Sequence, residues 1–313
     1  MKKISLALII VLSSCSVDKI NNDSLYPEIK QISVNIEEMI EEGTGSRVIR
    51  KDGGQFVWEA NDTLGIFPSK GGQVEFPIEA SYVGTSFAIF DGGGWALKSK
   101  YTYSAYCPFN FYNRNVKAVP FSYMNQVYDG KGTEVNMSHL FMAAPPSIAE
   151  NNSLTFDMKH LGTVTELRLT MPEPATYTSL EIYTSDKIFP VEVTFDLSSA
   201  DLLQSNIKLS DRYSIKLENI TTTAKDDVVT VWFTTPVVVD KEKTLKVMVE
   251  DEAGNLYSDD IRGVSSGNIA VVNFPRASKR TLKASPVLSN TSNSVTGSIE
   301  NWEIVEMTLG SAE

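Results

Sequence analysis

Two cysteines, two histidines and a scatter of carboxylates are the residues of this 313-residue chain that could attack a substrate or hold a metal. Their spacing favours neither task. His139 (in "SHLF") and His160 (in "KHLG") stand apart, with no cysteine or carboxylate at ligand spacing, so they do not make a zinc site. No serine occupies a Gly-x-Ser-x-Gly elbow, and there is no GxxxxGK[ST] phosphate loop. "DGGGW" has the acid-glycine look of a turn between strands. "DEAGN" (251–255) reads as a hairpin turn, because its acids miss the spacing of an EF-hand calcium loop. Cys107, inside the apolar "YSAYCPF", reads as a small buried hydrophobe. The expectation is a protein without catalysis, cofactor or metal.

The other cysteine is placed differently. Lys2 and Lys3 form a positive start, and an apolar run from Ile4 to Leu12 follows, broken only by Ser5. A bilayer span needs about 20 apolar residues; this run has the length of a secretion signal. Leu12-Ser13-Ser14-Cys15 then resembles the bacterial lipobox, an aliphatic residue and two small ones before a cysteine. Small residues fit the signal peptidase cleft, and the Cys15 thiol is the side chain that accepts a diacylglycerol thioether. Residues 1–14 are thus expected as a lipoprotein signal peptide and 15–28 as a polar tether. Several acyl chains on Cys15 at about 0.8 kcal/mol per buried methylene would hold the protein at the outer membrane. With Cys15 lipidated, Cys107 has no partner and no disulfide framework is expected.

The elements that would position any site are strands. The chain is 42% apolar, enough to fill real cores, and at roughly 150 residues per domain its length suggests two. Ile32, Val34 and Ile36 alternate with Ser33 and Asn35, and Leu154, Phe156 and Met158 share one face of another strand. Leu167, Leu169 and Met171 do the same, as do Val191, Val193, Phe195 and Leu197. Short strands with turn signals every eight to twelve residues point to antiparallel β-sandwiches. The reading is all-β, with an N-terminal sandwich over 29–165 and a C-terminal one over 166–313. "SSADLLQSNI" is the one candidate for a turn of helix. Residues 278–298, rich in Ser, Thr and Asn, are expected as a mobile segment. Strand character returns at 302–309, with Val305, Met307 and Leu309 on one side. Such a strand could pair with its own domain or with a neighbour.

The net charge of −11 and pI near 4.8 argue against nucleic acid as a partner. Tyr101, Tyr103, Tyr106, Phe109, Phe111 and Tyr112 crowd one segment. Core packing accounts for most such rings; an exposed row could instead stack on sugar rings. A charged, Gly-rich stretch, "EEGTGSRVIRKDGG", follows the first strand and reads as an exposed loop bearing Arg47, Arg50 and Lys51.

Several stretches together resemble the fimbrillin family, the FimA/Mfa-like subunits of type V pili in Bacteroidales. They are "FVWEANDTLGIFP", "YTYSAYCPF", "HLFMAAP", "LTFDMKHLGTVTELRL" and "GSIENWE", in the family's order and spacing. Cys107 departs from the pattern, standing where a second Tyr is usual. The resemblance implies two transthyretin-like β-sandwich domains made as a lipoprotein precursor. It implies a cell-surface fimbrial location and other fimbrial subunits as partners, with a possible host or glycan receptor. In polymerising members a protease cuts the loop after the first strand, and a strand from another subunit fills the groove that opens. Carried over, the cut would follow Arg47 or Arg50 and the donor strand would contain Val305, Met307 and Leu309. The alternatives are that these arginines are ordinary solvated charges, and that the chain is a non-polymerising surface lipoprotein that binds glycans or anchors a pilus. Stalk, tip and anchor roles are all compatible with the sequence.

Overall fold

The computed structural model describes residues 26–41, 57–91, 97–130, 139–289 and 304–305, of which 40–41 and 304–305 as backbone only. It is an all-β protein built from several sheets. The first sheet runs, edge to edge, β4 (Val74–Pro77), β3 (Thr63–Pro68), β6 (Thr102–Cys107), β9 (Met142–Ile148), β10 (Ser153–His160), β1 (Gln31–Ile36) and β5 (Phe87–Phe90). The second is β16 (Val228–Pro236), β11 (Gly162–Thr170), β22 (Ser278–Ala284) and β2 (Ile40–Glu41), with β20 (Arg262–Gly263) also on β22. The third is β23 (Val287–Leu288), β19 (Leu256–Asp260), β18 (Lys246–Asp251), β12 (Thr176–Tyr183), β15 (Arg212–Thr221) and β8 (Gln126–Tyr128). The fourth is β24 (Ile304–Val305), β14 (Leu203–Ser210), β13 (Phe189–Asp196) and β7 (Val119–Ser122), and β17 (Val238–Thr244) pairs with β21 (Val271–Phe274).

Most pairs are antiparallel, as hairpin-linked strands must be. Parallel pairing occurs where a strand arrives from far along the chain: β1 on β10, β8 on β15, and β11 and β2 on β22.

The alternation read from the sequence decides the cores. Ile32, Val34, Leu154, Phe156 and Met158 enclose a core inside the first sheet with Trp58 and Phe90. Leu167, Leu169, Leu180, Val247 and Phe274 belong to a second core, between the second and third sheets. A third core joins the halves of the chain: Phe67, Tyr106, Phe121 and Phe141 pack with Val193, Phe195 and Ile207. Phe121 lies 4.8 Å from Phe141 and 5.7 Å from Phe195 between ring centres, so aromatic pairs carry this junction.

Two expectations are corrected. Residues 278–284 are not a mobile segment but β22, a strand with β11 on one side and β2 and β20 on the other. Its buried face carries Ser278 and Arg280 beside Leu282 and Ala284, so composition disguised it. Arg280 is tolerated there because its Nη1 donates to the Val271 carbonyl (2.8 Å) and its guanidinium lies over Phe274. "SSADLLQSNI" holds a turn with Leu202 at φ +50, and β14 begins at Leu203.

Candidate strand-exchange site

β1 forms because its residues, QISVNI, alternate apolar and polar and include three β-branched side chains. It lies between β10, to which it is parallel, and β5, to which it is antiparallel. Ile32 opposes Leu154 and Phe90, and Val34 opposes Phe156 and Ala88. Both β1 side chains are buried, Val34 completely. Each contributes about 2 kcal/mol on burial. Trp58 backs the same pocket, edge-on to Phe90 at 5.1 Å. On the outer face Ser33 and Thr155 share a 2.9 Å hydrogen bond, and the Asn35 amide donates to the Asp157 carboxylate at 2.8 Å.

Both ends of the strand are tied by main-chain bonds. Ile29 N–H donates to Leu97 and Lys30 N–H to Asn152, while Ile36 and Glu37 donate to Ser86 and Met158. The far side of β5 is met by Ile78, which bridges Phe90. The first sheet therefore curls back on itself, and β1 fills a slot rather than extending an edge.

The segment does not stop at the first sheet. His160, the last residue of β10, holds Glu37 through its ring and its main chain. Met39 is fully buried in the second core, and Ile40–Glu41 pair in parallel with Ser278–Lys279 of β22. One run of residues thus seals a slot in one sheet and caps the edge of another. The sequence reading missed Glu37, His160 and Met39. Met39 breaks the two-residue period of β1, and a two-residue strand has no periodicity to detect.

Cys15, Arg47, Arg50, Met307 and Leu309 lie outside the described residues. The backbone of Val305 is described: it pairs with Ile207 on β14, antiparallel.

Among the described residues, Cys107, His139 and Asp251 are held in structural contacts. Burial pushes the Cys107 thiol up, which disfavours a reactive thiolate. His139 Nε2 lies 3.0 Å from the Met124 carbonyl, and burial lowers its pKa. Asp251 accepts from Asn255 N–H, the Asn255 amide and the Tyr257 hydroxyl, at 2.8, 2.8 and 3.0 Å. Those bonds build the β18–β19 hairpin. Among the described residues no three His, Cys, Asp or Glu side chains gather as a metal site. Of the aromatic segment, Tyr103 and Tyr106 are core residues, whereas Phe111 and Tyr112 are exposed.

No protein-family model and no curated protein matches the chain. Solved structures do resemble it. A candidate cell adhesion protein from Bacteroides ovatus superposes with a TM-score of 0.49 at 15% identity, covering 84% of this chain and 95% of that one. One from Bacteroides fragilis gives 0.48 at 11%, over 90% and 98%. The fimbrial anchor protein Mfa2 from Porphyromonas gingivalis gives 0.31 at 12%, over 71% and 78%. The structures this chain resembles are thus candidate cell adhesion proteins and a fimbrial protein from Bacteroidales.

Proposed function

We propose that the chain is a structural and adhesive subunit of surface fimbriae, joined to its neighbours by strand exchange. The observation that carries this reading is the position of β1. It fills a closed slot, yet it lies upstream of Arg47 and Arg50, so one cut there separates it covalently from every strand that holds it. Its departure would bare the facing N–H and C=O groups of β10 and β5 and the pockets of Ile32 and Val34, a vacancy that an added strand satisfies. Cys15 lies upstream of the same cut, so the lipid would leave with the strand. An uncut chain would stay at the outer membrane.

The C-terminal sequence offers a filler in matching register. Ile32, Val34, Ile36 and Met39 recur in spacing as Val305, Met307, Leu309 and Ala312. Run in the direction of β1, the latter would place Glu306 beside Thr155 and Thr308 beside Asp157, where a threonine hydroxyl can donate as Asn35 does.

The test is the mature N-terminus on cells together with the assembled state. Mass spectrometry is expected to find Val48 or Lys51 at the start, and SDS gels without boiling a ladder of subunits. Met307→Asp should abolish the ladder while the subunit stays folded. A cell-associated protein that begins at lipidated Cys15, with no ladder, would refute assembly by strand exchange.

A further inference from the structure

The loop between β6 and β7 carries two large rings in solvent. Phe111 is 62% exposed and Tyr112 84%, their centres 5.8 Å apart and their planes near perpendicular. The Arg114 guanidinium lies 4.5 Å from the Phe111 ring centre, and among the described residues no carboxylate pairs with it.

These side chains stand on a braced loop. The Tyr106 hydroxyl sits 2.7 Å from Gln73 Oε1 and 3.0 Å from the Asn110 carbonyl, and accepts from Asn110 N–H at 3.1 Å. Gln73 Nε2 donates to the carbonyls of Asn110 and Phe111. Asn110 Oδ1 takes the N–H of Tyr112 at 2.9 Å, and Asn113 is buried beneath. A platform held in this way loses little conformational entropy when it binds.

We propose that Tyr112, Phe111 and Arg114 form a binding site for a terminal acidic sugar, a pyranose bearing one carboxylate on an otherwise neutral glycan. The exposed Tyr112 ring offers an apolar face to the sugar's C–H face and a hydroxyl at its edge. The guanidinium offers a planar fork that matches a carboxylate, and stacking on Phe111 holds that plane. Lys117 on the same loop adds positive charge, as does Lys70 on the turn that Gln73 ties to it. The net charge of −11 repels a polyanion, which selects a single terminal carboxylate over polyuronate or nucleic acid.

The test is titration of the full mature chain with three immobilised glycans of one neutral core: glucuronate-capped, sialate-capped and uncapped. Expected is at least tenfold tighter binding to one or both capped forms. Tyr112→Ala should cost at least tenfold, and Arg114→Gln should remove the preference for the cap, both with an unchanged melting temperature. Equal binding to all three glycans, or binding that survives both substitutions, overturns the proposal. So does absence of binding to all three glycans; loss of subunit association in Tyr112→Ala would then make the platform a protein contact.

Discussion

His160 Nε2 lies 2.9 Å from the carbonyl oxygen of Glu37, and the His160 backbone N–H reaches the Glu37 carboxylate at 3.2 Å. The neutral ring donates there, and burial lowers its pKa from 6.5 to about 4, against the opposing pull of the Glu37 carbonyl. In the unfolded chain the ring titrates near its ordinary value. The folded state is therefore fully favoured above pH 6.5 and loses stability as pH falls toward 4, by about 3 kcal/mol at most. Urea unfolding between pH 7 and 4 should show this slope in the native chain. His160→Gln, which keeps a donor but cannot titrate, should reduce it to what the buried His139 contributes.

Val34 fills the centre of the β1 slot between Phe156 and Ala88. Val34→Ala should cost about 2 kcal/mol by removing buried methyls. Hydrogen exchange should show the loss concentrated in the amides of β1 and β5. A uniform loss across the second core would mean that β1 is not a separable unit.

Gln126 substitutes for a strand at the edge of β16. Its side-chain amide donates to the Thr234 carbonyl (2.7 Å) and the Tyr123 carbonyl (2.9 Å) and accepts from Thr234 N–H (2.9 Å), all out of water. Gln126→Ala should destabilise by about 3 kcal/mol, because several buried main-chain groups lose their partners. Gln126→Glu should be as harmful at pH 7, since a carboxylate would face two carbonyl oxygens. Chemical denaturation of both variants checks this.

Gly162 starts β11 directly against β16. A Cβ there would collide with the Thr235 carbonyl oxygen, which belongs to the backbone and cannot swing away. Gly162→Ala should cost about 3 kcal/mol, toward the upper end for overpacking. Gly254→Ala is a contrasting control, because open space surrounds that turn glycine and its φ of +83 is the only objection. It should cost about 1 kcal/mol.

Strands with clean alternation were legible in advance: β1, β10 and β13 appear where Ile32, Leu154 and Val191 begin their patterns. β22 was not, because it buries Arg280 and lays Lys279 against Glu166 at 3.0 Å and over Trp232. A local pattern records which side chains are apolar, not which charges find partners on distant strands. The same holds for β7 and β8, which lie before residue 130 yet pair with β13 and β15. At the candidate site, Ile32 and Val34 could be read from period two. The Glu37–His160 tie could not, since it joins residues far apart in the chain through a main-chain oxygen.

The run from β1 to β2 also has a temporal meaning. Its partners β5, β10 and β22 all follow it in the chain, the last ending at Ala284. Ser33 meets Thr155 of β10 across 122 residues of chain, whereas β12 and β15 are near neighbours in sequence, and contacts so distant form slowly. Pulse-labelling hydrogen exchange during refolding should accordingly find the amides of Ile32 to Ile36 protected after those of β12 and β15. Early protection of β1 would mean that the first sheet closes without waiting for the rest.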